Sequence, residues 1–570
     1  MTEEKKKING GDVLIKCLLQ ENVKYLFGIP GGQLLAMYDA IYRWGKEKGI
    51  NTILFRHEQA AAHAADAWAR VTNTPGICFG TVGPGATHLV PGVGAAWSDS
   101  IPVIALVPQV NSKYEDTHTL QGNLDQITLF TPITKYQKSI RKLEEIPDAV
   151  HKVFREANSG HPRPVLLEIF EDAFIEEIEE DKIIILPAER YRAIDNPAID
   201  SELIKKSLDI LLKAEKPLII SGGGVSRAKG WDELTEFAEY LQIPVITSIM
   251  GIGTITNRSK CLIGATLAGP AMTATADADV ILALGVRFSH VLGHGQEPFW
   301  KDSQKMIQVD IDPTIIGRNK PLTLGIIGDC KMFLNQILEE VKKIEKVEKR
   351  EWLEKLVTIR QNQINANIKK ISRDKVPILP QRLIKDVLEY IEEDGILIID
   401  AGDLTCYTME QIDFYKSLGP LSILNSVGMG HLGTSVPYGI GAKLAKPNKQ
   451  VISLSGDGSF MINIQDLETA VRLKLKNLIY VIANNSAWGM IKSGQKLACG
   501  KRYIDTELPE FNYAKVAEAF GCYGEVITDP KEITPALERA KNSGKPAVLD
   551  VKIKFDTPDG TKLLLTMGVL

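Results

Sequence analysis

Apolar and polar positions alternate between two patterns from the N-terminus to about Glu171. Short apolar runs that suit buried strands are separated by longer stretches in which apolar residues recur at helical spacing. The predicted strands are Tyr25–Gly28, Thr52–Phe55 and Gly76–Thr81, and the predicted helices are Gly11–Gln20, Leu34–Trp44 and Glu58–Thr72. Strands that alternate with helices in this way indicate βαβ units and a mostly parallel sheet.

A second block with the same alternation begins near Ala198. Its predicted strands are Pro217–Ser221, Ile281–Gly285 and Met306–Asp310, and a helix is predicted to begin at Trp231. Before this block, the acidic residues Glu171–Asp181 break the periodicity and predict a solvated linker. After it, a charged helix follows Asp329, and the mixed charges of Lys342–Lys355 predict a surface helix and connection rather than a nucleic-acid patch.

The third block opens with a predicted strand and runs to the end of the chain. Its predicted strands are Ile396–Asp400, Val451–Ser455, Leu478–Ile482 and Val548–Lys552. Three successive blocks of this kind predict the fold class α/β, with three open parallel sheets. The predicted domains span residues 1–185, 196–345 and 372–570.

Composition narrows the class of protein without naming a function. The chain has 570 residues, 44% hydrophobic and 24% charged, with 67 Lys and Arg against 71 Asp and Glu and a net charge of −4. That balance creates no field for nucleic acid or an anionic membrane surface. The 7 cysteines include no C-x-x-C pair, which argues against a disulfide framework or a zinc ribbon. The charged N-terminus and the lack of any apolar stretch of about 18 residues predict a cytoplasmic protein without a membrane span.

The most specific local signal lies in the third block. Ser455–Phe460 (S-G-D-G-S-F) follows one predicted strand, and Ala483–Gly489 (A-N-N-S-A-W-G) follows the next. Both loops would lie at the carboxyl edge of one parallel sheet, where ligands bind in such folds. Asp457 and an Asn side-chain carbonyl are hard oxygen ligands that suit Mg²⁺. The backbone N–H groups of Gly458 and Ser459, at a helix N-terminus, would meet phosphate oxygens.

These two loops resemble the G-D-G…N-N motif of enzymes that use thiamine diphosphate (ThDP, also called thiamine pyrophosphate). The resemblance implies ThDP and Mg²⁺ as cofactors, with Asp457, Asn485 and the Ala487 carbonyl as metal ligands. The spacing to Asn485 is one residue longer than the family pattern, which keeps Asn484 as an alternative ligand. The implied cofactor-binding residues here are Gly402, Asp403, Leu404, Gly456, Asp457, Gly458, Ser459, Asn485, Trp488, Gly489 and Met490.

The first block carries the matching motif of the same family. Phe55–His63 contains the pattern R-H-E-x-x-A, in which the resemblance places Glu58 against the pyrimidine N1′ of the cofactor. A carboxyl group there would assist tautomerisation of the aminopyrimidine, whose imino form removes the thiazolium C2 proton. Without the resemblance, Glu58 would be an exposed acid that favours the dipole of a helix start. The outer blocks are thus implied to be pyrimidine-binding and diphosphate-binding domains, with a Rossmann-like middle domain between them.

Asn425–Thr434 (N-S-V-G-M-G-H-L-G-T) resembles the glycine-rich loop that holds ThDP in a bent conformation. By this resemblance the Gly430 carbonyl would accept the pyrimidine amino group, and Leu432 would be the apolar wedge, where many relatives carry Met. A plain glycine-rich turn before a helix is the alternative. In this family the glutamate and the metal meet across a dimer interface, so the resemblance implies an obligate homodimer and, as the assembly, a homotetramer.

Further motifs resemble one branch of the family, with a departure. Phe27–Gly32, Gly83–Thr87 and Asp99–Val103 are similar to acetolactate synthase. That enzyme has a G-A-R-F-D-D-R motif whose last arginine helps to bind a second 2-keto acid, and here Val291 stands at that position. The departure also puts FAD in doubt, so that FAD or ADP in the middle domain stays an open expectation.

Other stretches resemble benzaldehyde lyase, 2-hydroxyacyl-CoA lyase and oxalyl-CoA decarboxylase. Thr119–Gln126 is one of them, and by that match Gln121 would reach the substrate carbonyl or hydroxyl, whereas the alternative is a surface loop glutamine. Gln33 is a further catalytic candidate. So is Ser426, which stands where benzaldehyde lyase has a histidine.

The implied function is a ThDP- and Mg²⁺-dependent lyase or carboligase that acts next to a carbonyl, through ylid and enamine intermediates. Its substrate would be a 2-hydroxy ketone, a 2-hydroxyacyl-CoA or a 2-keto acid. Acetolactate synthase ranks second, beside an oxalyl-CoA-type decarboxylase. A non-catalytic nucleotide-binding protein that uses Gly222–Gly224 is the rival from another class. The C-terminal residues Asp556–Leu570 are either a lid over the site or a frayed tail.

Overall fold

A computed structural model of the chain describes residues 6–122, 124–193, 195–297 and 299–566. These residues form two compact units. The first contains the described residues within Met1–Ile194, Ser426–Asn448 and Ile462–Leu475, and the second those within Asp195–Asn425, Lys449–Met461 and Lys476–Leu570. In this described part of the chain, no helix combines the length and the apolar character that crossing a membrane requires.

The N-terminal residues fold around a parallel sheet. In chain order the elements are β1 (Lys7–Asn9), α1 (Gly10–Gln20), β2 (Tyr25–Gly28), α2 (Leu35–Ala40), β3 (Asn51–Leu54), α3 (Glu58–Thr72), β4 (Gly76–Phe79), α4 (Pro84–Asp99), β5 (Val103–Gln109), α5 (Gln126–Phe130), β6 (Tyr136–Ile140), α6 (Ile146–Asn158), β7 (Val165–Phe170), α7 (Glu171–Ile175) and β8 (Glu177–Glu179). Six strands form the sheet in the order β3-β2-β4-β5-β7-β6. Strands β4, β5 and β7 are buried along their whole length, as expected for a sheet with helices on both faces.

The acidic residues 171–181 are not the solvated linker that their charge predicts. They form α7 and β8, and Ala173 and Phe174 between the carboxylates are buried in the core. β8 pairs antiparallel with β1, with Lys7 opposite Glu179. The prediction was wrong because two apolar side chains and a strand partner far away in sequence outweigh the local charge.

The middle residues fold around a second parallel sheet, in the second unit. In chain order the elements are α8 (Ser201–Leu212), β9 (Pro217–Ser221), α9 (Gly223–Ala228), α10 (Trp231–Leu241), β10 (Val245–Thr247), β11 (Leu262–Ala265), α11 (Gly269–Asp277), β12 (Val280–Leu284), β13 (Lys305–Asp310), β14 (Leu324–Ile327), α12 (Cys330–Val341) and α13 (Glu351–Ile371). The six strands lie in the order β11-β10-β9-β12-β13-β14. The direction of chain winding therefore reverses between β9 and β12, as in doubly wound folds.

The charged stretch Lys342–Lys355 differs in part from its prediction. Residues 342–350 form the connection, and α13 then begins at Glu351. Trp352 and Leu353 are buried in the middle core, and the Trp352 indole N–H donates to the Pro217 carbonyl at 3.1 Å. The start of the predicted surface helix is thus a core element, because an apolar pair interrupts the charges.

The C-terminal residues contain a third parallel sheet. In chain order the elements are α14 (Pro380–Tyr390), β15 (Ile396–Ile399), α15 (Asp403–Met409), β16 (Ile423–Leu424), α16 (Ser435–Ala445), β17 (Val451–Gly456), α17 (Asp457–Met461), α18 (Leu467–Arg472), β18 (Leu478–Asn484), α19 (Gly489–Ala498), α20 (Tyr513–Ala519), β19 (Tyr523–Ile527), α21 (Ile533–Asn542), β20 (Ala547–Lys552) and α22 (Asp559–Thr566). The six strands lie in the order β16-β15-β17-β18-β20-β19. Three six-stranded parallel sheets confirm the predicted fold class, whereas the predicted domain boundaries remain predictions.

Helices α16 and α18 belong to the first unit, together with the N-terminal sheet. There α16 packs closely against α3, whose sequence is rich in alanine. Small side chains on both helices allow their backbones to approach. This packing fixes the loop that precedes α16, which carries Ser426, Gly430 and Leu432, relative to the helix that starts at Glu58.

Candidate active site

In the second unit, the motif residues of the third block meet at one edge of the C-terminal sheet. β17 ends at Gly456, and Asp457 is the first residue of α17. The neighbouring strand β18 ends at Asn484, and Gly456 is paired with Ala483 in the ladder between the two strands. The strands thus bring the two loops together at their carboxyl ends, as the sequence predicts.

The Asp457 carboxyl is buried and held by backbone groups. Burial raises its pKa to about 6, against N–H groups of Gly458, Ala487 and Ser486, among others, that hydrogen-bond to it and lower the pKa. The carboxyl is therefore mainly ionised at neutral pH, as a metal ligand has to be. The Tyr513 hydroxyl donates to the Asp457 carbonyl at 3.1 Å and ties the turn to α20.

The adjacent residues Asn484, at the end of β18, and Asn485, just after it, have different surroundings. Asn484 is buried, its side-chain nitrogen donates to Asp550 Oδ1 at 2.9 Å, and its side-chain oxygen Oδ1 accepts the Ser486 N–H at 3.2 Å. Asn485 is half-buried, and its amide nitrogen lies 3.2 Å from the position that a Cβ on Gly489 would take. Because the Asn484 amide is used to hold the turn, the arrangement favours Asn485 as the metal ligand.

The surroundings of Asp457 fit a metal-bound diphosphate. Asp457, Asn485 and the Ala487 carbonyl supply oxygen atoms only, the donor set that Mg²⁺ prefers. Gly402, just before α15, and Gly456, just before α17, have no atom within 4 Å of a built Cβ, which leaves open space at two helix starts. Gly402 also has a φ of 109°, a conformation that favours glycine.

Further predicted cofactor residues line this edge. A Cβ on Gly458 would lie 2.8 Å from the Trp488 ring, so the ring closes over the glycine turn. The Ser459 hydroxyl donates to Asp400 Oδ2 at 2.7 Å and therefore supports the turn from behind. Leu404 is buried and Met490 is half-buried, each next to the start of its helix.

Asp403 places a second carboxyl group in this region. It lies against Gly489, and burial raises its pKa to about 6, against hydrogen bonds from Thr561 and Ser493 that lower it. The Thr561 hydroxyl donates to Asp403 Oδ1 at 2.7 Å, and the Gly560 N–H donates to Glu410 at 2.9 Å. Residues 559–566 are therefore packed as helix α22 rather than frayed, and residues 567–570 lie outside the described part.

In the first unit, Glu58 lies at the carboxyl edge of the N-terminal sheet. It is the first residue of α3 and follows the end of β3 after a connection of three residues. The last of these, His57, is the N-cap, and its ring accepts the Gln59 N–H at 3.1 Å. Glu58 Oε2 lies 3.0 Å from His88 Nδ1 on α4. The His57 and His88 rings are stacked, with centroids 4.4 Å apart. Glu58 is buried at the helix start. It is not the exposed acid that would be expected without the family resemblance.

The two predicted glutamines lie at the same edge of this sheet, Gln33 in the short 3-10 helix Gly32–Leu34 and Gln121 in a loop. Gln33 follows β2, and its side-chain oxygen accepts the Thr81 hydroxyl at 3.0 Å, so its amide N–H groups remain for other partners. Gln121 is exposed, with a φ of 64°, and its carbonyl lies against Gly83. The Gly83 N–H donates to Gln126 at 3.1 Å, which fixes this loop on the sheet.

The glycine-rich loop before α16 is held by three separate contacts. The Ser426 hydroxyl donates to the His431 carbonyl at 2.7 Å, and the Gly433 carbonyl accepts the Asn463 amide at 2.7 Å. The Gly428 N–H donates to Asp99 Oδ1 at 2.9 Å. Gly430 is exposed and Leu432 is half-buried, so the part of the loop that is predicted to meet the cofactor is presented outward.

A buried ion network anchors this loop. Arg70 on α3 pairs with Asp66 at 2.7 Å and with Asp99 at 2.8 Å, and all three side chains are almost fully buried. The Tyr438 hydroxyl on α16 donates to Asp66. Sequence motifs include Asp99 without a role for it, and they miss His88, Asp66 and Arg70, because the partners of these residues are distant in sequence.

The glycine turn of the middle sheet has a structural role in the fold. The Gly222 N–H donates to the Leu284 carbonyl at 2.9 Å, and the Gly224 N–H donates to the Gly285 carbonyl at 3.3 Å. These amides join β9 to β12 and are not available to a nucleotide phosphate. The geometry therefore counts against a nucleotide-binding role of Gly222–Gly224 that depends on these two groups.

Three family descriptions match the chain. "Thiamine pyrophosphate enzyme, N-terminal TPP binding domain" matches residues 8–129, the central domain of the same family matches 204–337, and its C-terminal TPP binding domain matches 403–551. The three matches follow one another in the order of the three sheets, and together they cover more than half of the chain.

Curated relatives match over nearly the whole length. The chain is 36% identical to "Probable acetolactate synthase large subunit" of Methanocaldococcus jannaschii over 96% of this chain and 92% of the relative. It is 33% identical to "Acetolactate synthase large subunit" of Haemophilus influenzae, over 94% of this chain and 92% of the relative. The protein of the same name from Cyanidium caldarium is 32% identical over 95% and 92%.

Proposed function

Because the chain belongs to the thiamine pyrophosphate enzyme family, we propose that it is a ThDP- and Mg²⁺-dependent carboligase. It decarboxylates a 2-keto acid and joins the remaining fragment to the carbonyl of a second one, the reaction type of acetolactate synthase. The observation that carries the proposal is the group of Asp457, Asn485 and Ala487, whose oxygen atoms suit Mg²⁺ next to open space at two helix starts. The names of the relatives support this order, although motifs alone rank a lyase first.

The second unit has the residues to hold the diphosphate and the metal. Asp457 would bring a carboxylate oxygen, and the Asn485 side chain and the Ala487 carbonyl would bring neutral oxygens. Gly402 and Gly456 keep side chains out of the space where diphosphate oxygens would approach backbone N–H groups. When bound, ThDP supplies a nucleophilic carbon and an electron sink for the breaking C–C bond.

The first unit has the groups for proton transfer and orientation. Glu58 would hold a proton at its carboxyl and exchange it with the pyrimidine ring of the cofactor, as the family motif implies. Gln33 and Gln121 would donate N–H groups to substrate oxygens. The Gly430 carbonyl and the Leu432 side chain would orient the cofactor. Ser426 supports this loop through its bond to His431, which we propose as its main contribution.

A lyase that acts on 2-hydroxyacyl-CoA or 2-hydroxy ketones is the second candidate function. It is favoured by Val291, which is half-buried in the short helical turn His290–Gly295 after β12. A valine cannot pair with the carboxylate of a second keto acid, so acceptor recognition would need another cation. The same departure from the acetolactate synthase motif also concerns FAD, whose binding to the middle domain is therefore a proposal. The absorption spectrum of the purified protein tests directly whether FAD is bound.

Two measurements test the proposed function. Apoprotein prepared with a chelator should bind ThDP only when Mg²⁺ is added, as followed by circular dichroism of the bound aminopyrimidine; absence of binding would overturn the family function for this chain. The loaded protein should then convert pyruvate into acetolactate and CO₂. Aldehyde release from hydroxyacyl-CoAs or benzoin, with no acetolactate, would instead establish the second candidate.

We further propose a homodimer in which Glu58 of one subunit and Asp457 of the other serve one cofactor. Mixing the inactive variants E58Q and D457N after dissociation should then restore part of the activity, because half of the sites in a mixed dimer carry neither substitution. Failure to restore any activity, with mixed dimers demonstrated by mass spectrometry, would contradict the shared site. The domain boundaries 1–185, 196–345 and 372–570 are part of this proposal.

A further inference from the structure

His88 stands beside the proposed catalytic carboxyl without a role in any of the motifs. It lies on α4 and is separated from Glu58 by 30 positions in sequence, yet His88 Nδ1 is 3.0 Å from Glu58 Oε2. The Glu58 side chain is 8% exposed and the His88 side chain 46%, so a buried carboxyl contacts an imidazole that reaches the surface. The second oxygen of the carboxyl, Oε1, takes no part in this contact.

The position of His88 is set by a second histidine that the helix itself fixes. His57 is the N-cap of α3, and its Nδ1 accepts the Gln59 N–H at 3.1 Å. Burial, and then the nearby His88 ring, lower the pKa of His57, which keeps its ring neutral and able to accept this N–H. The His88 ring stacks on it at 4.4 Å with an interplanar angle of 28°. One face of His88 is thus held by a residue that is itself part of the helix cap.

We propose that His88 is a positioning residue for Glu58, which holds Oε2 by an Nδ1–H hydrogen bond and leaves Oε1 for the pyrimidine ring of the cofactor. This inference rests on the proposed function for its catalytic consequence, but the contact between the two side chains does not. A carboxyl with one oxygen fixed has its second oxygen in a defined direction, which lowers the cost of orienting it when the cofactor binds.

The same three side chains do not form a metal site in this arrangement. One ligand atom from each of His57, Glu58 and His88 lies within 4.8 Å of the others. However, the two imidazole rings are stacked nearly parallel, and nitrogen lone pairs lie in the plane of their ring. Two such planes at this separation do not direct their lone pairs to one ion, and His57 Nδ1 is already occupied by Gln59.

The first test needs no cofactor. In the apoprotein labelled with ¹⁵N-histidine, the ring nitrogen signals of His88 report which nitrogen carries the proton. They should change clearly in E58Q, whereas the signals of His118, an exposed histidine of the same unit, should not. His88 signals that are identical in wild type and E58Q would overturn the proposed contact, whatever the function of the protein is.

The second test measures binding of ThDP with Mg²⁺ and its circular-dichroism bands, which distinguish the tautomers of the aminopyrimidine. H88A should weaken ThDP binding about tenfold and reduce the imino band. H88N places an amide nitrogen close to the position of Nδ1 and should restore both. In the E58Q background, H88A should have no further effect beyond about twofold, because Glu58 is the only route by which His88 acts.

The outcomes separate this proposal from the proposed function. If neither wild type nor any variant bound ThDP, the proposed function would be refuted and the apoprotein result would still stand. Normal binding and a normal imino band in H88A would refute the positioning role alone. Since His88 is half-exposed, H88A should keep the wild-type melting temperature. A lower melting temperature of H88A that H88N does not restore would also count against the specific hydrogen bond.

Discussion

Two carboxyl groups, Asp457 in the second unit and Glu58 in the first, are held in opposite ways. Asp457 is surrounded by backbone N–H groups from its own turn and from the neighbouring loop. Glu58 contacts a side chain, the His88 imidazole, on another helix. A carboxyl fixed by backbone groups depends on the course of the main chain in the two loops, whereas one fixed by a side chain depends on a distant residue that substitution can remove.

Neutralising each carboxyl in turn tests most directly whether Glu58 and Asp457 have different roles. E58Q should lower kcat by about 10²–10⁴-fold and weaken ThDP binding about tenfold, because it removes a proposed proton-transfer group that would also contact the cofactor. D457N should instead abolish Mg²⁺-dependent ThDP binding, because a proposed metal ligand loses its charge. Turnover assays and binding titrations on both variants separate the two roles.

The exposed aspartate Asp394 of the second unit gives the matched control for these variants. D394N should have the activity and ThDP affinity of wild type. If E58Q retained the kcat of wild type, the assigned role of Glu58 would be wrong, and the difference between the two carboxyl groups would have no functional meaning.

In the first unit a side chain also holds the glycine-rich loop, since the Asp99 carboxyl accepts the Gly428 N–H. D99N should destabilise the protein by about 3 kcal/mol, because it removes one of two negative partners of the buried Arg70. It should also weaken ThDP binding, since the Gly428 N–H loses a charged acceptor. Denaturant unfolding and ThDP titration measure the two effects.

An exposed pair of the same unit serves as the comparison for D99N. Asp39 pairs with Arg43 at 2.6 Å, but their side chains are 55% and 43% exposed. D39N should therefore change the free energy of unfolding by less than about 1 kcal/mol. Equal effects of D99N and D39N would show that burial of the network does not decide its strength.

An effect smaller than that of D99N is expected at Asp403, which two hydroxyl groups hold instead of backbone groups. Burial raises its pKa to about 6, above the unfolded value of about 3.9. The native protein therefore binds this proton more tightly than the unfolded chain does, so that stability falls as pH rises from about 4 to about 6. D403N keeps an acceptor for Thr561, and its metal-free form should be about 1–3 kcal/mol more stable than wild type at pH 7.

Thermal unfolding of the metal-free protein at several pH values checks this expectation. The advantage of D403N should vanish below about pH 4, where the wild-type carboxyl is protonated in both states. D559N, a change at an exposed residue of α22, should show no comparable pH dependence. A constant difference between D403N and wild type across this range would contradict the role of the raised pKa.

Much of the architecture could be predicted from the order of apolar and polar residues. The strands Tyr25–Gly28, Met306–Asp310 and Leu478–Ile482 follow from short apolar runs, and the structure confirms the three parallel sheets that they imply. The same reasoning failed for residues 171–181, because the pairing of β8 with β1 joins segments at opposite ends of the N-terminal block. Local charge carries no information about such a partner.

The sequence by itself determined the strand-and-turn motifs around Asp457 and Glu58, because each motif is a short run of residues that can be recognised from its own pattern. Tertiary structure alone decided that the Asn484 amide is used by Asp550, since the adjacent Asn485 carries the same side chain and only the distant partner distinguishes the two. It also decided that His88 meets Glu58 and that Asp99 meets Gly428. These contacts join separate helices and loops, and packing of the whole unit, rather than any local pattern, brings them within hydrogen-bond distance.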